Sequence, residues 1–205
     1  MSDEIRQLRE EVAQLSAELT RLTETEAVKR CKYQYWRCFD TANIDGMREV
    51  LHPDVELSVV AGVYSMKYQG REGYLEMVRT GAHADMISHH NGHHPEIDIV
   101  GPEEAIGTWY LYDDLYEYRR NMRLYGTAFY RDRYVKHEGR WKIRYSQFHR
   151  LYEIADPLPP RENITAHYLG THGYKHPGTD PLPPFPKVKE YDHEPGVMPP
   201  FLDAK

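Results

Sequence analysis

The sequence predicts an α+β domain in which helices come first and an antiparallel meander of strands follows. Two observations carry the prediction. Apolar residues recur at helical spacing as far as Phe39, and from Ile87 onward the period changes to two. A third, the absence of strand–helix–strand alternation, argues against a parallel sheet.

The elements follow in order. Ile5, Leu8, Val12, Leu15, Leu19 and Leu22 are spaced 3, 4, 3, 4, 3, a helical seam with charged residues between its members. Such a seam suits packing on the chain's own domain or association of subunits. Thr23 with Glu26 fits a capping box and predicts that the helix restarts there. Val28, Cys31, Tyr35 and Phe39 then share one helix face. The stretch from Asp45 to Leu51 predicts a short helix capped by Asp45. Val55, Leu57 and Val59 alternate as a strand does, and Gly70 to Thr80 predicts a further helix with Tyr74, Leu75 and Val78 inward. One strand ends at Ile97 and Ile99, a turn follows at Gly101–Glu104, and a long strand runs from Ala105 to about Tyr118. Strands over Gly126–Lys136 and Arg140–Tyr152 are joined by His137-Glu138-Gly139.

After Asp156 the composition changes. Eleven of the fourteen prolines lie between Pro157 and Pro200, together with Tyr168, Tyr174, Phe185, Tyr191 and Phe201. Proline disfavours helix and central strand, while so many aromatics are unlike a solvated linker. The segment is expected to be an extended arm that wraps the domain or a neighbouring subunit. The chain thus divides into an N-terminal helix (1–22), an α+β domain (23–155) and a proline-rich arm (156–205).

Composition narrows the function. A chain of 205 residues carrying net charge −6 suits one domain with appendages, and dispersed Lys and Arg argue against nucleic acid as a partner. No apolar run approaches the roughly 18 residues of a membrane span, and the first residues do not read as a signal peptide. Cys31 and Cys38 on one helix would lie about 10 Å apart along its axis, too far for a disulfide. A reduced, cytoplasmic protein is expected. There are 17 Tyr against 5 Phe and 3 Trp, and 12 His. Because a buried tyrosine hydroxyl needs a partner, this surplus suggests a cavity lined by aromatic groups with polar tips.

Three clusters could carry chemistry. Ser88-His89-His90-Asn91-Gly92-His93-His94-Pro95-Glu96 holds four imidazoles. It has no zinc-type spacing and no cysteine pair, so one catalytic histidine is preferred over a metal site or an inert turn. In Trp109-Tyr110-Leu111-Tyr112-Asp113-Asp114-Leu115-Tyr116, Asp113 shares a strand face with Trp109, Leu111 and Leu115. A carboxylate in an apolar row must be paired or protonated. Alternation alone does not say which face lines a cavity. In Tyr35-Trp36-Arg37-Cys38-Phe39-Asp40, Tyr35 lies on the apolar stripe and could donate to a substrate oxygen, whereas Asp40 at a helix end reads first as a cap. Arg150 in the last strand is a candidate partner for a buried carboxylate.

Together these motifs resemble those of SnoaL-like proteins, members of the nuclear transport factor 2-like superfamily of cone-shaped α+β barrels. The resemblance rests on Tyr35–Asp40, His90–Ile97, Trp109–Asp113 and Arg150–Glu153 and spans about Glu24 to Glu153. Within the superfamily the motifs are similar to those of the bacterial bile acid 7α-dehydratases. Formaldehyde-releasing lyases of lignin-derived diarylpropanes form a second similar branch. The resemblance implies that Tyr35 holds a substrate oxygen, that His90 is the general base or acid and that Asp113 orients and charges His90. It further implies Asp40, Arg150, Trp109 and His93 as pocket residues, with Val59 standing where the bile acid enzymes have a pocket tyrosine. The implied activity is a lyase reaction on a hydrophobic hydroxylated ring compound, steroid-like or diaryl, with no cofactor and no metal. A non-catalytic binding protein, or an isomerase or hydrolase with the same dyad, are the alternatives. The resemblance also implies a homo-oligomer, a trimer ahead of a dimer.

Overall fold

The computed structural model describes residues 3–61, 65–178 and 181–182. The order is α1 (Asp3–Asp40), α2 (Ile44–Val50), β1 (Leu51–Val60), β2 (Ser65–Gln69), α3 (Arg71–Gly81), β3 (Met86–Gly101), β4 (Glu104–Glu117), β5 (Met122–His137) and β6 (Arg140–Asp156), then a 3-10 turn at Arg161–Asn163 and the one-turn α4 (Tyr168–His172). The strands form one six-stranded sheet in the order β2-β1-β6-β5-β4-β3, curved and unclosed. From β3 to β6 it is the expected antiparallel meander, but β1 runs parallel to β6, so the sheet is mixed.

The α+β prediction therefore holds, with local corrections. Helix α1 is continuous from Asp3 to Asp40 and does not restart at Thr23. Instead Glu24 ties this stretch to the sheet, accepting hydrogen bonds from Lys136 Nζ and Trp141 Nε1, each at 2.6 Å. The cap of α2 is Asn43, whose Oδ1 accepts from the Gly46 N–H at 2.9 Å, and not Asp45. Strand β2, which the sequence reading passed over, is a five-residue edge paired only with β1.

The second half of α1 lies on the inner face of the sheet. Val28, Cys31, Tyr35 and Trp36 are buried there, opposite Trp109, Leu111 and Tyr130. Gly92 permits this approach, since a Cβ at that position would sit 1.9 Å from the Trp36 ring. Bulges bend the long strands, one between His93 and Glu96 on β3 and one at Leu151 on β6, opposite Thr127–Ala128. The described part of the arm returns to the domain: Leu169 is buried, His167 Nε2 lies 2.9 Å from the Met86 carbonyl, and the Leu182 N–H donates to the Arg119 carbonyl at 2.7 Å. Phe185, Tyr191 and Phe201 lie outside the described residues. No described helix is long and apolar enough to cross a membrane.

Candidate active site

The inner face of the sheet, α1 and α3 enclose a cavity of about 410 Å³, the size of a small-ligand pocket. Its wall is largely apolar, with Phe39, Val59, Leu115 and Phe148 beside four methionines, Met66, Met77, Met86 and Met122. Polar groups converge on it at several places.

The first is His90. Inward-facing on β3, it meets the C-terminal end of α1, where Asp40 is the last helical residue. The His90 Nδ1–H donates to Asp40 Oδ1 at 2.6 Å, Ser88 Oγ donates to the same oxygen at 2.6 Å, and the His90 backbone N–H donates to Oδ2 at 2.9 Å. A carboxylate at a helix C-terminus opposes the macrodipole, so these three donors compensate a locally unfavourable placement. Burial works against the charged form of Asp40. The His90 charge and the hydrogen bonds outweigh it and hold the carboxyl below its ordinary value. Burial likewise disfavours the imidazolium, yet the Asp40 and Asp113 carboxylates outweigh both it and the Arg150 charge, so His90 titrates above its ordinary value. With Nδ1 committed to Asp40, Nε2 is the atom left for proton exchange in the cavity.

The second is Asp113, directly across β3 and β4 from His90. Arg150 on β6 binds it in a two-pronged bridge, with N–H groups at 2.6 Å and 2.9 Å from the two carboxylate oxygens, while its Nε lies 3.0 Å from Glu153. Arg150 must reach across β5 to do this. The inward residues of β5 on that path are Gly126 and Ala128, small enough to leave room. A bidentate guanidinium fixes the position of Asp113 in a site from which water is largely excluded.

The third is a group of phenols. The Tyr35 and Tyr74 hydroxyls are hydrogen-bonded to each other, and Tyr130 stands edge-on to Tyr35 at 6.3 Å between ring centres. Burial, then the proximity of Tyr130 and Asp132, raises Tyr35 well above the usual tyrosine value, against the lowering effect of the Tyr74 bond. It therefore remains a neutral donor. Behind Tyr35 lies a buried ion pair, Lys32 Nζ 2.8 Å from Asp132 Oδ2, with the ammonium 3.6 Å from the centre of the Tyr130 ring. Asp132 also accepts from Tyr134 and Ser146, both at 2.6 Å.

The structure sorts the sequence candidates by place. Tyr35, Val59, His90 and Asp113 line the cavity. Asp40 and Arg150 stand one layer behind, Asp40 on His90 and Arg150 on Asp113. The orienting bond that resemblance assigned to Asp113 runs instead from His90 to Asp40, because Arg150 occupies both Asp113 oxygens and the end of α1 reaches Nδ1. Trp109 is in the core beneath the cavity, donating to Tyr134 at 3.0 Å and packed edge-on against Trp36. His93 points to the other face of β3, where it stacks on Tyr110 at 5.2 Å. Neither touches the cavity. Tyr74, expected only as an inward core residue, joins the site, as do Lys32 and Asp132, which the motifs do not single out. Each carries a signal: Tyr74 an inward hydroxyl, Lys32 a charge one turn after Val28 on the buried stripe, and Asp132 a charge alternating with Tyr130 and Tyr134.

A second imidazole–carboxylate pair lines the same cavity, His83 Nε2 with Glu117 at 2.9 Å. Its Nδ1 accepts from the Asp85 N–H at 3.2 Å, so both ring nitrogens are engaged and His83 is a structural pair. Cys31 is no nucleophile, since burial pushes its thiol up to about 12. Among the described residues no three His, Cys, Asp or Glu side chains converge as metal ligands would.

Comparison with known proteins agrees with this fold. Solved structures of similar shape include hexachlorocyclohexane dehydrochlorinase LinA type 2, at 18% identity over 72% of this chain and 99% of that one, with TM-score 0.62. LinA type 3 from Novosphingobium barchaimii is 21% identical over 70% of this chain and 99% of that one, with TM-score 0.59. A protein of Novosphingobium aromaticivorans provisionally named a scytalone dehydratase is 18% identical over 68% of this chain and 92% of that one, with TM-score 0.61. At these identities the likeness speaks for the fold. The family itself is fixed by sequence: a model described as a SnoaL-like domain matches residues 20–147, more than half of the chain, and the chain belongs to that family.

Proposed function

We propose that this protein is a cofactor-independent lyase that removes water, or formaldehyde, from a hydrophobic hydroxylated ring compound of the steroid or diaryl type. The observation that carries the reading is His90, an imidazole facing an apolar cavity with its far nitrogen anchored on a buried carboxylate. Similar folds bearing the names dehydratase and dehydrochlorinase, both eliminations, support it.

In the dehydration, His90 Nε2 takes a proton from the carbon next to the one bearing the leaving hydroxyl. The C–H electrons form the new double bond and the C–O bond breaks. Asp40 stabilises the imidazolium formed, which returns its proton to the departing hydroxyl as water. The linked hydroxyls of Tyr35 and Tyr74 lie at the cavity wall, where a phenol can donate to a ring oxygen on which charge builds. Arg150 holds Asp113 in place beside His90, where the carboxylate makes the imidazole a stronger base. Where the substrate also carries a primary alcohol, the same base can take the hydroxyl proton as the C–C bond to formaldehyde breaks; that electron pair forms the new double bond while the neighbouring hydroxyl leaves, taking the proton from the imidazolium as water.

The test is turnover by the purified chain on a panel of hydroxysteroids and diarylpropane diols, followed by the absorbance of the new conjugated double bond. Loss of water or formaldehyde from one class without added cofactor is expected. Tight binding of both classes without turnover would overturn the lyase reading in favour of a binding protein, and rearrangement with no group lost would make it an isomerase.

A further inference from the structure

The site leaves one large feature unused. The first half of α1 carries Ile5, Leu8, Val12, Leu15, Leu19 and Leu22, each between 45% and 71% exposed, with nothing among the described residues packed on them. A helix with an unpartnered apolar stripe is not stable by itself in water, since such helices draw most of their stability from packing that stripe.

We propose that two copies of this chain pair through this stretch of α1 as a parallel, in-register two-stranded coiled coil. The stripe repeats every seven residues, with Ile5, Val12 and Leu19 at one core position and Leu8, Leu15 and Leu22 at the other. Two of the three first-position residues, Ile5 and Val12, are β-branched and all three second-position residues are leucine, a combination that favours two parallel strands. This departs from the trimer that resemblance implied.

The flanking charges choose both the occupant and its direction. Before each first-position residue stands a glutamate: Glu4, Glu11 and Glu18. After each second-position leucine stand Arg9, Ser16 and Thr23. In a parallel pair each glutamate faces the flank of the next repeat on the partner, so Glu4 meets Arg9 and the other two meet hydroxyls. An antiparallel pair would set the three glutamates of one helix against the three of the other, which like charge opposes. The pattern is thus complementary to itself, as a two-fold interface must be.

The seam also ends where it should. Its next two positions are Glu26 and Lys29, which pair with each other at 2.6 Å, while Val28 turns onto the sheet. From Ile5 to Leu22 the contact would be about 27 Å long. Although this is short, α1 is already nucleated by its buried second half, which lowers the cost of ordering the first.

The experiment uses the full chain. Light scattering and sedimentation at micromolar concentration are expected to give twice the 24.2 kDa chain mass. The double variant Val12→Lys/Leu15→Lys should be monomeric with an unchanged near-UV spectrum, since both side chains lie outside the domain core. Orientation is read by Leu15→Cys. In the parallel pair it faces its own copy and should oxidise to a covalent dimer, whereas the wild type, whose Cys31 and Cys38 are buried, should not. A monomeric wild type, an assembly of three copies or a dimer that survives the lysine pair would overturn the proposal. So would cross-linking only between Val12→Cys and Leu15→Cys chains mixed together, the signature of an antiparallel pair. None of these outcomes depends on turnover, so the proposal and the lyase reading fail separately.

Discussion

Replacing His90 by alanine is expected to lower kcat/KM on the compound of the panel that is turned over by about 10²–10⁴-fold, the range that a positioned acid–base group contributes. The loss should fall mainly on kcat, because the imidazole acts on the proton in flight while the apolar wall carries substrate binding. Asp40→Asn should lose a large part of the same factor without touching the cavity, since an amide neither stabilises the imidazolium nor enforces the tautomer. His89→Ala, next in sequence but exposed and on the opposite strand face, should leave turnover unchanged. Steady-state kinetics on the four proteins, with circular dichroism to confirm the fold, checks the set. A His90→Ala protein that retains wild-type turnover would remove His90 from the chemistry.

The second large effect is on stability. Asp132→Ala is expected to destabilise the fold by about 3–5 kcal/mol, the cost of leaving one partner of a buried ion pair uncompensated. Lys32 and Asp132 both have fully buried side chains. Burial pulls the Lys32 ammonium down, and the Asp132 charge and contact are the main effects opposing it. Removing Asp132 also takes away the acceptor to which the Tyr134 and Ser146 hydroxyls donate. Replacing both charged residues by apolar ones of similar volume should cost far less than Asp132→Ala alone. Urea unfolding of the single and double variants measures the difference. The pair sits behind Tyr35 and Tyr130, so its loss should loosen the phenol wall as well, raising KM in the protein that still folds.

The sequence made the local facts of this fold legible and concealed the long-range ones. Period-two alternation located β3 to β6 and put Asp113 on one face with Trp109 and Leu111, and the helical stripe turned Tyr35 inward. These follow from the geometry of a single element. The partner of His90 did not, because Asp40 lies 50 residues away and its place at a helix end reads first as a cap. Lys32 and Asp132, 100 residues apart, are each an anomaly on a predicted inward face, explained only when the faces meet. Trp109 and His93 went the other way. They stand inside motifs that resemble pocket segments, but their faces of the strands look into the core and out to Tyr110. The boundary errors have local causes: Asn43 stands two residues before Asp45 and captures the Gly46 N–H, and the bonds from Lys136 and Trp141 to Glu24 carry α1 straight through its apparent capping box.

The central claim is that His90, charged through Asp40, is the base of an elimination. The pH dependence of kcat/KM tests it most directly, because the acidic limb reports the ionisation of the free enzyme's base. His90 titrates above its ordinary value of 6.5, and the base must be unprotonated to act. Activity should therefore fall as the pH drops through a midpoint above 6.5. In Asp40→Asn burial prevails over the remaining attraction, so the midpoint should move to lower pH as the maximal rate falls. A limb that stays in place in Asp40→Asn, or that moves only in Asp113→Asn, would contradict the assignment of Asp40 as the residue that charges His90.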